Sequence, residues 1–184
     1  VLPGFNPDPC ICRKDGDYYI AVSTFEWFPG IPVYHSKDMK HWELYTHVLT
    51  DDEKPDLKKL PSAKGIWAPC LTYCQDEDLF YVIYGVMNSM NSRYFDIDNY
   101  LITAKDIKGP WSEPVYLHSA GFDASILHDD DGRKYIVSLE WETREGYEKP
   151  GAICMAEYDT VKKEIIGYPE RIWHGGTDRG CIEA

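Results

Sequence analysis

Three acids in this chain stand where an acid can do chemistry: Asp8, Asp123 and Glu183. Asp8 is held between prolines in Asn6-Pro7-Asp8-Pro9. Each proline fixes its own φ and pushes the residue before it toward extended geometry. The stretch therefore predicts an extended Asp8 whose side chain has a fixed aim. Asp123 lies in Gly121-Phe122-Asp123-Ala124-Ser125, and Glu183 in Cys181-Ile182-Glu183-Ala184. Two opposed carboxyl groups are the usual machinery of glycoside hydrolysis. One, protonated, protonates the leaving oxygen; the other, ionised, activates water or attacks the sugar. A third carboxylate nearby keeps the acid protonated and in position. The same residues have two other readings. Asp8 and Asp123 also suit a turn or a cap, and clustered acids can chelate calcium. Hydrolysis of this kind requires no cofactor and no catalytic metal, so a structural calcium ion is the one metal expectation.

Aromatic side chains stack on sugar faces, and Phe25, Trp67 and Trp141 are the candidates for that role. Trp67, just before Ala68-Pro69, equally suits packing between structural units. Other acids have a plainer purpose: Asp15, Asp76 and Asp129 to Asp131 sit between strand-like runs and read as turn formers. The six histidines show no metal-ligand spacing. The six cysteines include the close pairs Cys10/Cys12 and Cys70/Cys74, neither of which is Cys-x-x-Cys. They read as free thiols in a reducing compartment, which with the lack of a signal-like start gives a cytoplasmic expectation.

The elements that must position these residues are strands. The runs 17–25, 79–86, 100–104, 134–141 and 151–158 are rich in Tyr, Val and Ile, turn residues separate them, and no amphipathic helix interrupts. The runs repeat. Asp8-Pro-Cys-Ile precedes Asp15-Gly-Asp-Tyr-Tyr-Ile; Ala68-Pro-Cys-Leu precedes Asp76-Glu-Asp-Leu-Phe-Tyr-Val; Asp123-Ala-Ser-Ile precedes Asp131-Gly-Arg-Lys-Tyr-Ile. Asp8, Ala68 and Asp123 are 60 and 55 residues apart, and a further step of that size reaches Glu183. A second feature follows in the same order: Ser36-Lys-Asp-Met-Lys-His-Trp42 resembles Ala104-Lys-Asp-Ile-Lys-Gly-Pro-Trp111, with a faint echo at Tyr158-Asp-Thr-Val-Lys162. Short strands repeating at this period indicate an all-β fold of the β-propeller type. The stretches 50–64 and 86–98 then read as long loops. In a propeller, equivalent starts of inner strands converge on one axis, which would gather Asp8, Asp123 and Glu183 around one pocket.

Composition limits the partners. Acids outnumber bases 31 to 19, giving a net charge of −12 and no basic footprint for a nucleic acid. No apolar run is long enough to span a membrane.

At these residues the chain resembles glycoside hydrolase family 43, the β-xylosidase/α-L-arabinofuranosidase family. The stretches that carry the likeness are GFNPDPCICRKDGDYYIAVSTFEWFPGIPVYHSKDMKHWE, GIWAPCLTY, IKGPWSEPV, GFDASILHDDDGRKYIV and GTDRGCIEA. The likeness is greatest to the β-xylosidase branch that carries STFEWFPG. It implies a five-bladed propeller and an inverting, single-displacement mechanism, with Asp8 as general base, Glu183 as general acid and Asp123 as the residue that tunes and orients that acid. It places Phe25, Trp67 and Trp141 around the sugar subsite. The substrate implied is a xylo-oligosaccharide or an arabinoside. At this repeat length the 184 residues span about three blades and the start of a fourth. The expectation is therefore the N-terminal portion, residues 1–184, of a larger catalytic domain. The rest of the polypeptide, including a C-terminal β-sandwich, or partner copies in a homo-oligomer, would complete it. Such a chain alone can be inactive, and a sugar-binding propeller without catalysis is the rival from another class. Cys10 stands where that branch usually has Ser, Cys70 where it often has Asp, and Glu140-Trp141-Glu142 replaces an Asn-Trp-Asp-like stretch.

Overall fold

The computed structural model describes residues 2–51, 54–91, 94–141 and 151–174. Twelve strands form three four-stranded antiparallel sheets among these residues. The first sheet holds β1 (Cys10–Lys14), β2 (Asp17–Ala21), β3 (Gly30–Ser36) and β4 (Glu43–Leu49). The second holds β5 (Gly65–Cys74), β6 (Leu79–Asn91), β7 (Tyr94–Ala104) and β8 (Val115–His118). The third holds β9 (Phe122–His128), β10 (Lys134–Glu140), β11 (Ala152–Asp159) and β12 (Glu164–Trp173). Each sheet is an up-and-down meander in chain order, and each coincides with one unit of the sequence repeat. The start of a fourth unit lies outside the described residues.

The turns recur with the strands. Asp15 and Asp78 adopt left-handed φ of 54° and 48° between first and second strands. Asp129 and Gly132 close the matching turn of the third sheet. Between third and fourth strands, one Asp oxygen caps the turn in every sheet. Asp38 Oδ1 accepts the Lys40 and His41 amides, Asp106 Oδ1 accepts Lys108, and Asp159 Oδ1 accepts Val161 and Lys162. The faint third echo in the sequence is thus the same turn.

The sheets pack face to face, and β6 explains how. Phe80, Val82 and Tyr84 face the first sheet and join a core with Tyr19, Val33 and Leu71. Tyr81 and Ile83 face the third sheet and join Ala124, Ile126 and Ile136. A strand buried on both faces reads as an unbroken apolar run, and LFYVIYGV is one.

The described part of the stretch 86–98 departs from the loop expected there. It extends the β6–β7 hairpin, pairing Met87 with Ile97 and Asn91 with Tyr94. Met87 and Ile97 are fully buried beside Phe122 and Leu139, and that burial holds the strands together past the sheet's main body. The stretch 54–64 carries no strand among its described residues.

Candidate active site

Asp8 is not extended. Its φ is 51°, in the left-handed region, and Ala68 and Asp123 share that geometry at φ 36° and 51°. Pro9 disfavours right-handed helical geometry at Asp8, and Asp tolerates the left-handed alternative better than most residues. A common irregularity in the sheets produces it. Trp67 and Cys70 in β5 oppose Gly85 and Ile83 in β6, so three steps on one strand face two on the other. Phe122 and Ser125 in β9 oppose Leu139 and Val137 in β10 in the same way. In the first sheet Cys10 pairs with Ala21, and Ser23 N–H donates to the Pro7 carbonyl at 3.1 Å, again three steps against two. Each sheet thus carries a one-residue bulge at the start of its first strand, and the left-handed residue sits inside it. Bulges re-aim side chains and are common beside active sites. Here they give Asp8 and Asp123 the same local setting.

Asp8 is held by Ser23, two residues past the end of β2 in its own sheet. Ser23 Oγ donates to Asp8 Oδ2 at 2.5 Å and accepts the Ala68 amide at 2.7 Å. The second unit, which lacks an acid at this place, contributes its backbone instead.

The aromatic candidates form one continuous arc. Phe25 meets Trp67 edge to face with ring centres 6.1 Å apart. Trp67 meets Phe95 at 6.2 Å, and Phe95 meets Trp141 at 5.3 Å and Phe122 at 4.8 Å. The expected trio of Phe25, Trp67 and Trp141 is therefore assembled, through Phe95 as the shared ring. Phe5 and Trp27 continue the arc outward, Phe5 lying 5.9 Å from Phe25 and 5.6 Å from Trp27. Because Trp67 precedes Ala68 and Phe122 precedes Asp123, the arc is bonded directly to two of the bulges.

Backbone geometry holds the arc. Phe25 and Ile66 exchange two amide hydrogen bonds of 2.9 Å. Gly65, at φ +96°, makes this approach possible, since a Cβ there would fall 2.3 Å from the Phe25 carbonyl oxygen. Glu26 accepts Ser62 Oγ at 3.0 Å and the Ala63 amide at 2.9 Å, and Trp67 Nε1 donates to the Ala63 carbonyl. The Glu26 carboxyl is held below its ordinary range by its own backbone amide and by these donors. On the far side, Arg171 grips Glu140, the residue before Trp141, with two bonds of 2.6 and 2.8 Å.

Cys10 and Cys70 lie two residues past the bulge residues of neighbouring units. The Cys70 thiol hydrogen-bonds Cys10, which lowers the Cys10 thiol, while the same contact and burial raise that of Cys70. The five described cysteines are free thiols. Among the described residues no group of three or more His, Cys, Asp or Glu side chains is arranged to hold a metal.

Glu183 lies outside the described residues. Ser23 and Phe95 escaped the reading of the sequence. Phe95 lies in a stretch that reads as a loop. Ser23 had one available signal, a hydroxyl inside an apolar strand run (YYIAVSTF), where a buried polar group needs a partner.

Residues 1–184 match the family model described as glycosyl hydrolases family 43. Over 184 residues the chain is 47% identical to a beta-xylosidase of Bacillus subtilis (strain 168), covering 100% of this chain and 34% of that protein. It is 42% identical to xylosidase/arabinosidase 43B of Humicola insolens, again covering 100% of this chain and 34% of the relative. Among solved structures, xylan beta-1,4-xylosidase from Bacillus halodurans C-125 superposes with a TM-score of 0.89 at 46% identity, over 95% of this chain and 33% of that one. The chain thus spans about a third of the length of the relatives it matches.

Proposed function

The chain belongs to glycosyl hydrolase family 43, and on that premise we propose that it forms part of a five-bladed propeller that removes xylose from the non-reducing end of xylo-oligosaccharides with inversion. Asp8 is the general base. It takes a proton from a water that attacks the anomeric carbon as the glycosidic bond breaks. Glu183 protonates the departing oxygen, and Asp123 keeps Glu183 protonated and oriented. Inversion requires base and acid to stand roughly 6.5–9.5 Å apart, with the water between base and sugar. The observation that carries this reading is the shared bulge, which gives Asp8 and Asp123 one backbone geometry on successive first strands. The aromatic arc from Phe25 to Trp141 supplies flat apolar surface for the sugar ring.

The remaining blades and a C-terminal β-sandwich belong to the same proposal. In β12, Tyr168 is 91% exposed and Trp173 53%, apolar surface that further polypeptide would cover. The free thiols support a reducing, cytoplasmic setting. The name of the Humicola relative favours a second reading, α-L-arabinofuranosidase activity at the same site.

The test compares the full-length protein with this 184-residue chain on xylobiose, xylotriose and both nitrophenyl pentosides. Xylose release by the full-length protein is the expected result. Arabinose release from the arabinoside alone would select the second reading. Sugar binding without turnover would replace the enzyme by a binding propeller.

A further inference from the structure

Ser23 is 3% exposed, and both its amide and its hydroxyl are engaged. Its amide donates to the Pro7 carbonyl at 3.1 Å, across the bulge that contains Asp8. Its hydroxyl oxygen lies 2.7 Å from the Ala68 amide nitrogen and 2.5 Å from Asp8 Oδ2. An amide N–H can only donate, so Oγ accepts from Ala68, and its single hydrogen is left for the carboxylate. The orientation of the hydroxyl is fixed by the second sheet, and the hydroxyl in turn fixes one oxygen of Asp8.

The repeat supplies an internal control. In the other two bulges the residue in register with Ser23 is Gly85 or Leu139, neither with a hydroxyl. The bulge and its left-handed residue form there all the same, at Ala68 and Asp123. Ser23 is therefore not what the bulge requires. Its hydroxyl is specific to the unit whose acid is read as the base.

We infer that Ser23 is a positioning residue for Asp8, clamping Oδ2 so that Oδ1 is the oxygen presented to the attacking water. The inference rests on Asp8 being the base. A base must hold its accepting oxygen in line with the water, and a misplacement of about 1 Å costs on the order of 100-fold in rate. A hydroxyl bonded to an ionised carboxylate is among the stronger hydrogen bonds available for such a task.

The test is a double-mutant cycle in the full-length enzyme, with nitrophenyl xyloside as substrate and thermal unfolding as the check on folding. Ser23→Ala is expected to lower kcat about 10- to 100-fold, with KM within about threefold of wild type. In an Asp8→Asn background the same substitution is expected to cost nothing further, because the carboxylate it positions is gone. Ser23→Cys keeps the volume with a weaker donor and serves with the same expectation where Ser23→Ala lowers the melting temperature. A folded Ser23→Ala enzyme with wild-type kcat would overturn the inference, as would an equal loss in both backgrounds. Full turnover by Asp8→Asn would instead overturn the reading of Asp8 as base, which separates the two failures.

Discussion

Asp8 and Asp123, 115 positions apart in the chain, have the same φ of 51° and sit in the same one-residue bulge of their respective sheets. Left-handed backbone is uncommon outside glycine, so two acids that share it at equivalent places mark one device used twice. The device sets the direction of a side chain relative to the strand that follows. Ala68 carries it a third time without an acid, and there its amide is the part that is used.

Asp8→Asn tests the chemistry while keeping the bulge, since Asn also tolerates left-handed geometry. In the full-length enzyme kcat should fall by about 10²–10⁴-fold on xylobiose and on nitrophenyl xyloside alike, with little change in melting temperature. Glu183→Gln should behave differently. Its loss should be large on xylobiose and small on the nitrophenyl substrate, whose leaving group needs little protonation. Steady-state kinetics on the two substrates decide it, and equal losses for Glu183→Gln would remove that residue from the role of acid.

Phe95 should matter to both stability and activity. It meets Trp67, Phe122 and Trp141, and such ring pairs are worth about 0.5–1.5 kcal/mol each beyond burial. Phe95→Leu keeps most of the volume and loses these contacts. The expected result is a destabilisation of about 2–4 kcal/mol in urea titration. It should be accompanied by a raised KM for xylo-oligosaccharides, since Trp67 and Trp141 lose their common neighbour.

Gly65→Ala places a Cβ 2.3 Å from the Phe25 carbonyl oxygen, against backbone, at a φ of +96°. Nothing flexible can yield there. A loss of about 3 kcal/mol or more is expected. Gly132→Ala is the comparison: it has a similar φ of +86°, but its Cβ would meet nothing within 4 Å. It should cost only about 1 kcal/mol, the penalty of left-handed alanine. Parallel thermal unfolding of the two variants separates close approach from backbone strain.

His118 supplies a pH dependence. It is 8% exposed, and burial pushes its pKa down to about 4. In the unfolded chain it titrates near about 6.5. As the pH falls, the unfolded state takes up the proton first. The contribution of neutral His118 is therefore complete above about 6.5 and is lost as the pH drops toward about 4, at most about 3 kcal/mol. His118→Asn keeps an acceptor for the Ala120 amide, which donates to Nδ1 at 3.3 Å. Urea midpoints at about pH 7, 5.5 and 4.5 should fall less steeply for this variant than for the wild type.

Local chemistry in the sequence determined a good deal. The Tyr-, Val- and Ile-rich runs between turn residues dictated strands, and the doubly buried β6 announced itself as an unbroken apolar stretch because both of its faces exclude water. Turn acids at Asp15, Asp129 and Asp131 were legible because they bond amides within three residues of themselves or tolerate left-handed turns. The repeat register alone marked Asp8 and Asp123 as equivalent positions, and the structure places both in the same bulge. What tertiary structure alone decided is whatever depends on pairing between strands. A bulge is a mismatch of two registers, so no single strand contains it, and the prolines around Asp8 gave the wrong backbone region when read alone. Phe95 became the hub of the arc because β6 and β7 stay paired out to Asn91 and Tyr94, driven by the burial of Met87 and Ile97 against the third sheet. Ser23 finds Asp8 and Ala68 only because two sheets meet there, across 15 and 45 residues of chain. Hydrogen bonds of that reach leave no trace in local composition, since their partners are chosen by packing and not by sequence proximity.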